Sequence, residues 1–95
     1  MKEQRVLTSC LSEFVGEQVF VKGRVISIRE VGAVRFMDIL DRSGRVQILL
    51  GDNCVAPDLQ SIISCRGIVK SSSKALSGLE IHSSEICEIA APQSH

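Results

Sequence analysis

QVFVKGRVISIREVGAVRFMDILDRSGRVQILL, residues 18–50, alternates apolar and polar side chains with the period of two that β-strands have. This stretch divides into a long strand over Gln18–Arg29, a second over Val34–Asp41 and a third over Arg45–Leu50. Asp41-Arg42-Ser43-Gly44 has the composition of a tight turn, so the last two strands are predicted to form a hairpin. Gly23 interrupts the first strand, where a glycine typically marks a bulge or a sharp bend.

The second half of the chain predicts one helix and two more strands. Pro57–Ile63 is the helix candidate, because it opens on a proline and spaces its apolar residues on one side. Strands are predicted over Cys65–Lys70 and over Leu79–Ile89, the latter with a break near Ser83-Ser84. The polar residues 71–78 are predicted to join these strands as a loop.

This order of elements predicts an all-β fold with one short helix. Three strands, a helix and two strands is the order of the oligonucleotide/oligosaccharide-binding (OB) fold, a five-stranded Greek-key barrel whose helix follows strand three. An SH3-like barrel, the main alternative, lacks that helix and has shorter strands. We assign residues 18–90 to the barrel and residues 91–95 to the start of a linker or a tail. Residues 1–17 are predicted to form an N-terminal extension with a short helical turn or a loop over Ser9–Phe14, for which Ser9 is the candidate cap.

Composition indicates a small protein of neutral charge with one domain. A chain of 95 residues builds one compact core, and its 44% of apolar residues are enough to fill that core. The 11 basic and 11 acidic residues give a net charge of zero. This balance argues against binding of nucleic acid through a large basic excess. The chain has three phenylalanines and neither tryptophan nor tyrosine, so an aromatic ring on its surface would be notable.

The four cysteines, at positions 10, 54, 65 and 87, include no CxxC pair and form no zinc-binding pattern with His82 or His95. We expect reduced thiols in a cytoplasmic protein without a bound metal. Leu7–Cys10 resembles a lipoprotein cleavage box, but no apolar stretch of signal-peptide length precedes it. No segment reaches the length of a membrane span, so we expect no contact with a membrane.

Strand periodicity also predicts which side chains leave the core. We assign to the barrel interior one face of each strand: Met37, Ile39, Val46, Ile48, Leu79 and Ile81. Phe36, Gln47 and Glu80 then point outwards, on the sheet face with which such barrels bind single-stranded nucleic acid. His82 shares the face of Glu80. The alternative is that Phe36 closes one end of the barrel, while Gln47 and Glu80 are only solvated.

Two runs of residues carry a family resemblance: Val19-x-Val21-x-Gly23-Arg24-Val25, and Arg29-x-x-Gly32-x-x-x-Phe36-x-Asp38-x-x-Asp41-x-x-Gly44-x-Val46-Gln47. From about Arg5 to Pro92, the sequence resembles the N-terminal anticodon-binding domain of class IIb aminoacyl-tRNA synthetases, the aspartyl, asparaginyl and lysyl enzymes. Gly78-Leu79-Glu80-Ile81 followed by Glu85-Ile86 is similar to the archaeal-type aspartyl and asparaginyl branch. The resemblance favours the aspartyl enzymes and leaves asparagine and lysine open.

The resemblance implies a site for the anticodon loop of a tRNA. Phe36 matches the family phenylalanine that stacks on the central uridine, and Gln47 matches the glutamine that hydrogen-bonds it. Arg29 matches an arginine in the loop between the first two strands, for which a solvated charge is the alternative. Glu80 matches a late glutamate that contacts another anticodon base. Leu40 and Ala33 depart from the family pattern, which often has an arginine and a glycine at these positions.

The resemblance also implies what this chain lacks. A catalytic domain that binds ATP and the amino acid needs some hundreds of residues, and none fits after Glu88. We therefore expect no catalysis and no cofactor in this chain, and ATP and magnesium only in the catalytic domain of a homodimeric parent ligase. The alternatives are a free-standing OB-fold that binds single-stranded nucleic acid, and a barrel that binds another protein.

Overall fold

The computed structural model describes residues 5–52, 54–73, 75 and 78–91. A 3-10 helix, η1, spans Thr8–Phe14, and five strands follow it: β1 (Gln18–Val31), β2 (Val34–Asp41), β3 (Gly44–Leu50), β4 (Ile62–Ser71) and β5 (Leu79–Ala90). The strands close into a barrel in the order β1-β2-β3-β5-β4. Neighbours are antiparallel except for the parallel pair of β3 and β5. The predicted OB-fold barrel is confirmed.

β1 is long enough to contribute to two sides of the barrel. Its residues up to Arg24 pair with β4, and its residues from Arg24 onwards pair with β2. The register with β2 shifts between Val25 and Ser27, and a Cβ on Gly23 would lie 2.8 Å from the carbonyl oxygen of Leu40. Gly23 therefore allows the two backbones to approach where β1 changes partner, as a glycine within a long strand indicates.

β5 closes the barrel between β3 and β4. Three residue pairs join it to β3 in parallel, and one of them sets Gln47 beside Glu80. Its antiparallel pairing with β4 passes from Ser83 to Glu85 and skips Ser84. The break predicted near Ser83-Ser84 is therefore a bulge inside a continuous strand.

Aliphatic side chains from alternate strand positions fill the barrel. All the interior positions predicted from the strand pattern are buried except Leu79, which is half-buried and packs against the core. The segment before β1 adds Val6 and Leu11 to the same core. The largest side chains that are fully buried include Leu11, Val21, Val25, Met37, Ile39, Ile48, Ile63, Val69 and Ile81.

The four cysteines are free thiols, and Cys10 and Cys54 are half-buried. Cys65 belongs to the barrel core, whereas Cys87 is exposed on β5. Burial, together with the nearby Cys54, raises the pKa of the Cys65 thiol to about 12. This thiol is therefore neutral and unreactive near neutral pH.

The predicted helix over Pro57–Ile63 is wrong. The described residues between β3 and β4, 51–61 without 53, contain turns and residues without regular secondary structure. Gln60 has a φ of 71°, and its N–H donates to the carbonyl oxygen of Val25 at 2.7 Å. The Val25 N–H in turn donates to Ser61 at 2.9 Å. Leu59 is 51% exposed, so the apolar side predicted for the helix does not pack on the core. The backbone of the segment forms hydrogen bonds with β1 instead.

The described helix, η1, is attached to the β2–β3 turn by Asp41. The carboxylate of Asp41 accepts hydrogen bonds from the N–H and hydroxyl of Thr8 at 2.8 and 2.9 Å, and from those of Ser43 at 2.8 and 2.7 Å. Burial opposes ionisation, but these bonds outweigh it and hold the pKa of Asp41 below its ordinary value of 3.8. Leu7 occupies the N-cap position without a side-chain cap, so the predicted Ser9 cap is wrong. No helix among the described residues is long and apolar enough to cross a membrane.

Candidate nucleic-acid interface

The four residues predicted for the site lie on four different strands and meet on the outer face of the barrel. Arg29 on β1 is opposite Phe36 on β2, and Gln47 on β3 is opposite Glu80 on β5. Asp38, two residues beyond Phe36 on the same face, is opposite Gln47 and joins the two pairs. The barrel topology therefore brings together side chains that are far apart in sequence.

Three of these side chains form a continuous hydrogen-bonded row. An Nη2 hydrogen of Arg29 is donated to Oε1 of Gln47 at 2.7 Å, and Nε2 of Gln47 donates to Oε2 of Glu80 at 3.0 Å. The Gln47 carboxamide is thereby oriented, with its oxygen towards a cation and its nitrogen towards a carboxylate. We call these three residues the Arg29–Gln47–Glu80 row.

Phe36 provides an aromatic surface beside the row. Its side chain is half-buried and lies outside the core cluster, and the guanidinium of Arg29 is 5.7 Å from the centroid of its ring. This distance is within the range of a cation–π contact. The placement is that of an outward-facing ring and not that of a residue that closes the barrel.

Arg29 lies within β1 and not in the loop after it, where the resemblance had placed it. Its Nη2 is 3.7 Å from Oδ2 of Asp38, and half of its side chain is exposed, at 50%. Arg29 is therefore held by a carboxylate, an amide and a ring, and it is not a freely solvated charge. The contacts with Gln47 and Asp38 both involve Nη2, and a guanidinium has five N–H donors, so further N–H groups are available to a ligand.

Two partners of the site residues were not predicted from the sequence. Asp38 accepts a hydrogen bond from the hydroxyl of Ser27 at 2.7 Å, and its side chain is only 15% exposed. Nε2 of His82 is 2.8 Å from Oε1 of Glu80, whose side chain is 13% exposed. The period-two pattern was the signal that could have found them, because Asp38 shares the face of Phe36 and His82 that of Glu80.

A cleft of about 340 Å³ opens next to His82, between the β1–β2 turn and the end of β3. It is lined by Ala33, Val34, Leu49, Leu50, Gly51, Asp52, His82 and Ser83. Its size lies at the lower end of the range for small-ligand sites. Because His82 also contacts Glu80, a ligand bound at the row would have this cleft next to it.

No protein-family model matches the chain. The aspartate–tRNA(Asp/Asn) ligase of Thermus thermophilus is 35% identical over 88 residues, which are 93% of this chain and 20% of that ligase. The aspartate–tRNA(Asp) ligase of Pyrobaculum aerophilum is 35% identical over 80 residues, 75% of this chain and 19% of that ligase. The structure of asparaginyl-tRNA synthetase from Pyrococcus horikoshii, complexed with asparaginyl-adenylate, matches with a TM-score of 0.84 and 26% identity over 97% of this chain and 24% of that one.

The relatives and the solved structure belong to one family. This chain is homologous to the aspartyl/asparaginyl-tRNA synthetases over an OB-fold domain. The chain spans about a fifth of the length of the curated relatives that it matches, 20% and 19% of the two named above.

The two departures from the family pattern have simple structural consequences in this synthetase domain. The left-handed residue of the β1–β2 turn is Gly32, with a φ of 62°. Ala33 follows it at a negative φ, so the missing second glycine causes no backbone strain. Leu40 lies on the outer face and is 45% exposed. That face therefore lacks the arginine that the family pattern often has at this position, and the core is unaffected.

Proposed function

We propose that this domain binds the anticodon loop of a tRNA as part of an aspartate–tRNA ligase. The observation that supports the proposal is the Arg29–Gln47–Glu80 row beside the outward ring of Phe36. Proteins recognise RNA loops by stacking unpaired bases on aromatic rings and by hydrogen-bonding the edges of those bases. The row and the ring offer both kinds of contact on one strand face.

Gln47 is the residue that distinguishes uridine from cytidine in this proposal. Its oxygen keeps one lone pair and its nitrogen keeps one N–H after the bonds to Arg29 and Glu80 are made. Uracil presents a carbonyl acceptor next to the N3–H donor, and this amide satisfies both. Cytosine presents a donor next to the N3 acceptor. To match cytosine, the amide would have to be turned over, with its NH2 group facing the Arg29 cation and its oxygen facing the Glu80 carboxylate. Both contacts would be repulsive, so uridine is favoured.

Phe36 and Arg29 hold the base and the backbone in this proposal. Phe36 stacks on the central anticodon uridine, and stacking on an aromatic ring is worth about 1–3 kcal/mol per base. The exposed N–H groups of Arg29 bind a phosphate or a base carbonyl. Glu80 accepts a hydrogen bond from an amino or imino group of a neighbouring anticodon base.

The proposal extends to the whole protein in the way that its relatives indicate. The ligase activity, with ATP and magnesium, then belongs to a catalytic domain that follows this one, in a homodimer in the cytoplasm. Residues 18–90 form the RNA-binding barrel, residues 1–17 an extension of it, and residues 91–95 the start of the connection.

The test is the affinity of this chain for anticodon stem-loops that differ only in the central base. We expect uridine to be preferred over cytidine by about 1–3 kcal/mol, and Gln47→Leu to abolish that preference. Gln18→Leu, the same substitution at an exposed position at the start of β1, is the control and should retain it. Equal binding of both stem-loops by the unaltered chain would exclude the proposal. Equal binding of any single strand would favour a general nucleic-acid binder.

A further inference from the structure

A second, larger cleft lies on the outer face of β1 and β2, at the far end from Phe36. Its volume is about 600 Å³, and four cations line it: Arg5, Lys22, Arg24 and Arg42. Leu40 also lines the cleft, and it is opposite Arg24 in the pairing of β1 with β2. Leu40 is four residues beyond Phe36 on β2, so both side chains lie on the same face of the sheet, about 13 Å apart along the strand.

The positive charge of this cleft is not balanced by neighbouring acids. Among the described residues, none of its four cations forms a salt bridge. Lys22 contacts the ring of Phe20, with Nζ 5.8 Å from the centroid. Asp41 is the acid that lines the cleft, and Thr8 and Ser43 already occupy its carboxylate. The whole chain is neutral, yet this part of its surface is strongly positive.

We infer that this cleft binds the phosphate backbone of the RNA strand that continues from the anticodon loop. The inference rests on the proposed function and adds a second contact to it. Guanidinium groups bind phosphate oxygens in pairs of parallel hydrogen bonds, and three of the four cations are arginines. The cleft continues the face on which the row lies, so a strand held at Phe36 needs only a few nucleotides to reach it.

The exposed apolar residues at the cleft suit the sugar side of such a strand. Leu40 is 45% exposed and Ile89 is 52% exposed, and both line the cleft. The alternative occupant is the part of the protein that follows β5, because Ile89 lies close to the end of that strand. A segment of protein would need carboxylates to match the four cations, whereas RNA presents a negative charge at every nucleotide.

The experiment compares the chain with a Lys22→Gln, Arg24→Gln double variant in binding an anticodon stem-loop between about 50 and 200 mM salt. We expect the double variant to bind about tenfold more weakly at the lowest salt concentration. The slope of log K against log[salt] should flatten by about 1.5, since each neutralised phosphate contributes about 0.7 to 0.9. The ratio of affinities for central uridine and central cytidine should be unchanged, because the row is intact.

Arg66→Gln is the matched control, because Arg66 pairs with Glu85 at 2.7 Å and does not line the cleft. This control should leave the slope as it is. Thermal unfolding of each variant checks the fold. Arg42→Gln, at an exposed position of the β2–β3 turn, replaces the double variant if that one is unstable, and its loss of one cation should flatten the slope by about 0.7 to 0.9. An unchanged slope in the cleft variants, or the same change in Arg66→Gln, would overturn the inference and leave the segment after β5 as the occupant. Equal binding of the uridine and cytidine stem-loops by the unaltered chain would instead count against the proposed function.

Discussion

Phe36 and Met37 are consecutive residues of β2 with opposite surroundings. Met37 is fully buried in the barrel core, whereas Phe36 faces outwards beneath the guanidinium of Arg29. Strand geometry imposes this contrast, because successive side chains point to opposite faces of a sheet. The pair therefore allows the contribution of a side chain to binding to be separated from its contribution to stability.

Phe36→Ala should weaken binding of an anticodon stem-loop by about 1–3 kcal/mol, because a stacking surface is lost. Its free energy of unfolding should change little. Met37→Ala should lower the free energy of unfolding by about 2–5 kcal/mol, because it leaves a cavity in the core. Urea denaturation and RNA titration of both variants check the two expectations. A loss of stability in Phe36→Ala as large as that in Met37→Ala would show that the ring belongs to the core.

The sequence predicted the members of the site better than it predicted their contacts. Phe36, Gln47 and Glu80 were placed on the outer face by strand period and by family resemblance. The bond between Gln47 and Glu80 depends on the parallel register of β3 and β5, which joins residues across a long connection. A single sequence does not encode that register in any local pattern, so the row emerged only from the structure.

Among the elements, the strands and the N-terminal helical turn, η1 (Thr8–Phe14), were predictable, whereas the helix over Pro57–Ile63 was predicted wrongly. β2 was predicted over the residues that form it, Val34–Asp41, since its alternation is regular and a turn follows it. Pro57–Ile63 has helical spacing over only a few residues, and short helices gain most of their stability from packing of an apolar face. Leu59 is exposed, so that packing is absent and hydrogen bonds to β1 determine the conformation of the segment.

Asp41 stabilises the attachment of η1 to the barrel in its ionised form. Its hydrogen bonds from Thr8 and Ser43 hold its pKa below 3.8 despite burial. A carboxyl whose pKa is lower in the folded state stabilises the fold above its unfolded pKa. This contribution is lost as the pH falls through the folded pKa. Acid should therefore weaken the link between η1 and the β2–β3 turn.

Asp41→Asn should lower the free energy of unfolding at pH 7 by about 1–3 kcal/mol, the value of hydrogen bonds to a charged group. The difference from the unaltered chain should shrink below about pH 4, because the carboxyl then becomes protonated. Urea denaturation at a series of pH values measures both effects. Asp52→Asn, at an exposed position, is the control. A difference that stays constant down to the lowest pH would show that the charge of Asp41 has no part in the attachment.

At the scale of the whole molecule, one sheet face combines two kinds of surface. The Arg29–Gln47–Glu80 row, with Phe36, offers base-edge contacts, and the cleft at Arg24 offers cations. Base contacts give selectivity, and phosphate contacts give affinity and orientation without selectivity. The net charge does not indicate the positive cleft, because the 11 basic and 11 acidic residues balance over the chain as a whole.

If the domain binds anticodon loops as proposed, selection among aspartate, asparagine and lysine anticodons is a property of the whole face. These anticodons share the central uridine, so the contacts of Phe36 and Gln47 do not distinguish them. Glu80 is the residue placed to contact a flanking base, since its carboxylate lies at the end of the row and accepts hydrogen bonds only. The preference among the three loops should therefore depend on Glu80.

Glu80→Gln should reduce the preference for the aspartate loop over the asparagine and lysine loops while retaining the requirement for central uridine. The new amide oxygen still accepts the hydrogen bond from Nε2 of Gln47, so the row remains in place. Titration of the three stem-loops, each with central uridine and central cytidine, against both proteins measures the two properties separately. Glu88→Gln, the same substitution at an exposed position near the end of β5, serves as the control. Equal affinity of the unaltered domain for all three loops would refute the aspartate assignment, and an unchanged preference in Glu80→Gln would exclude Glu80 from base recognition.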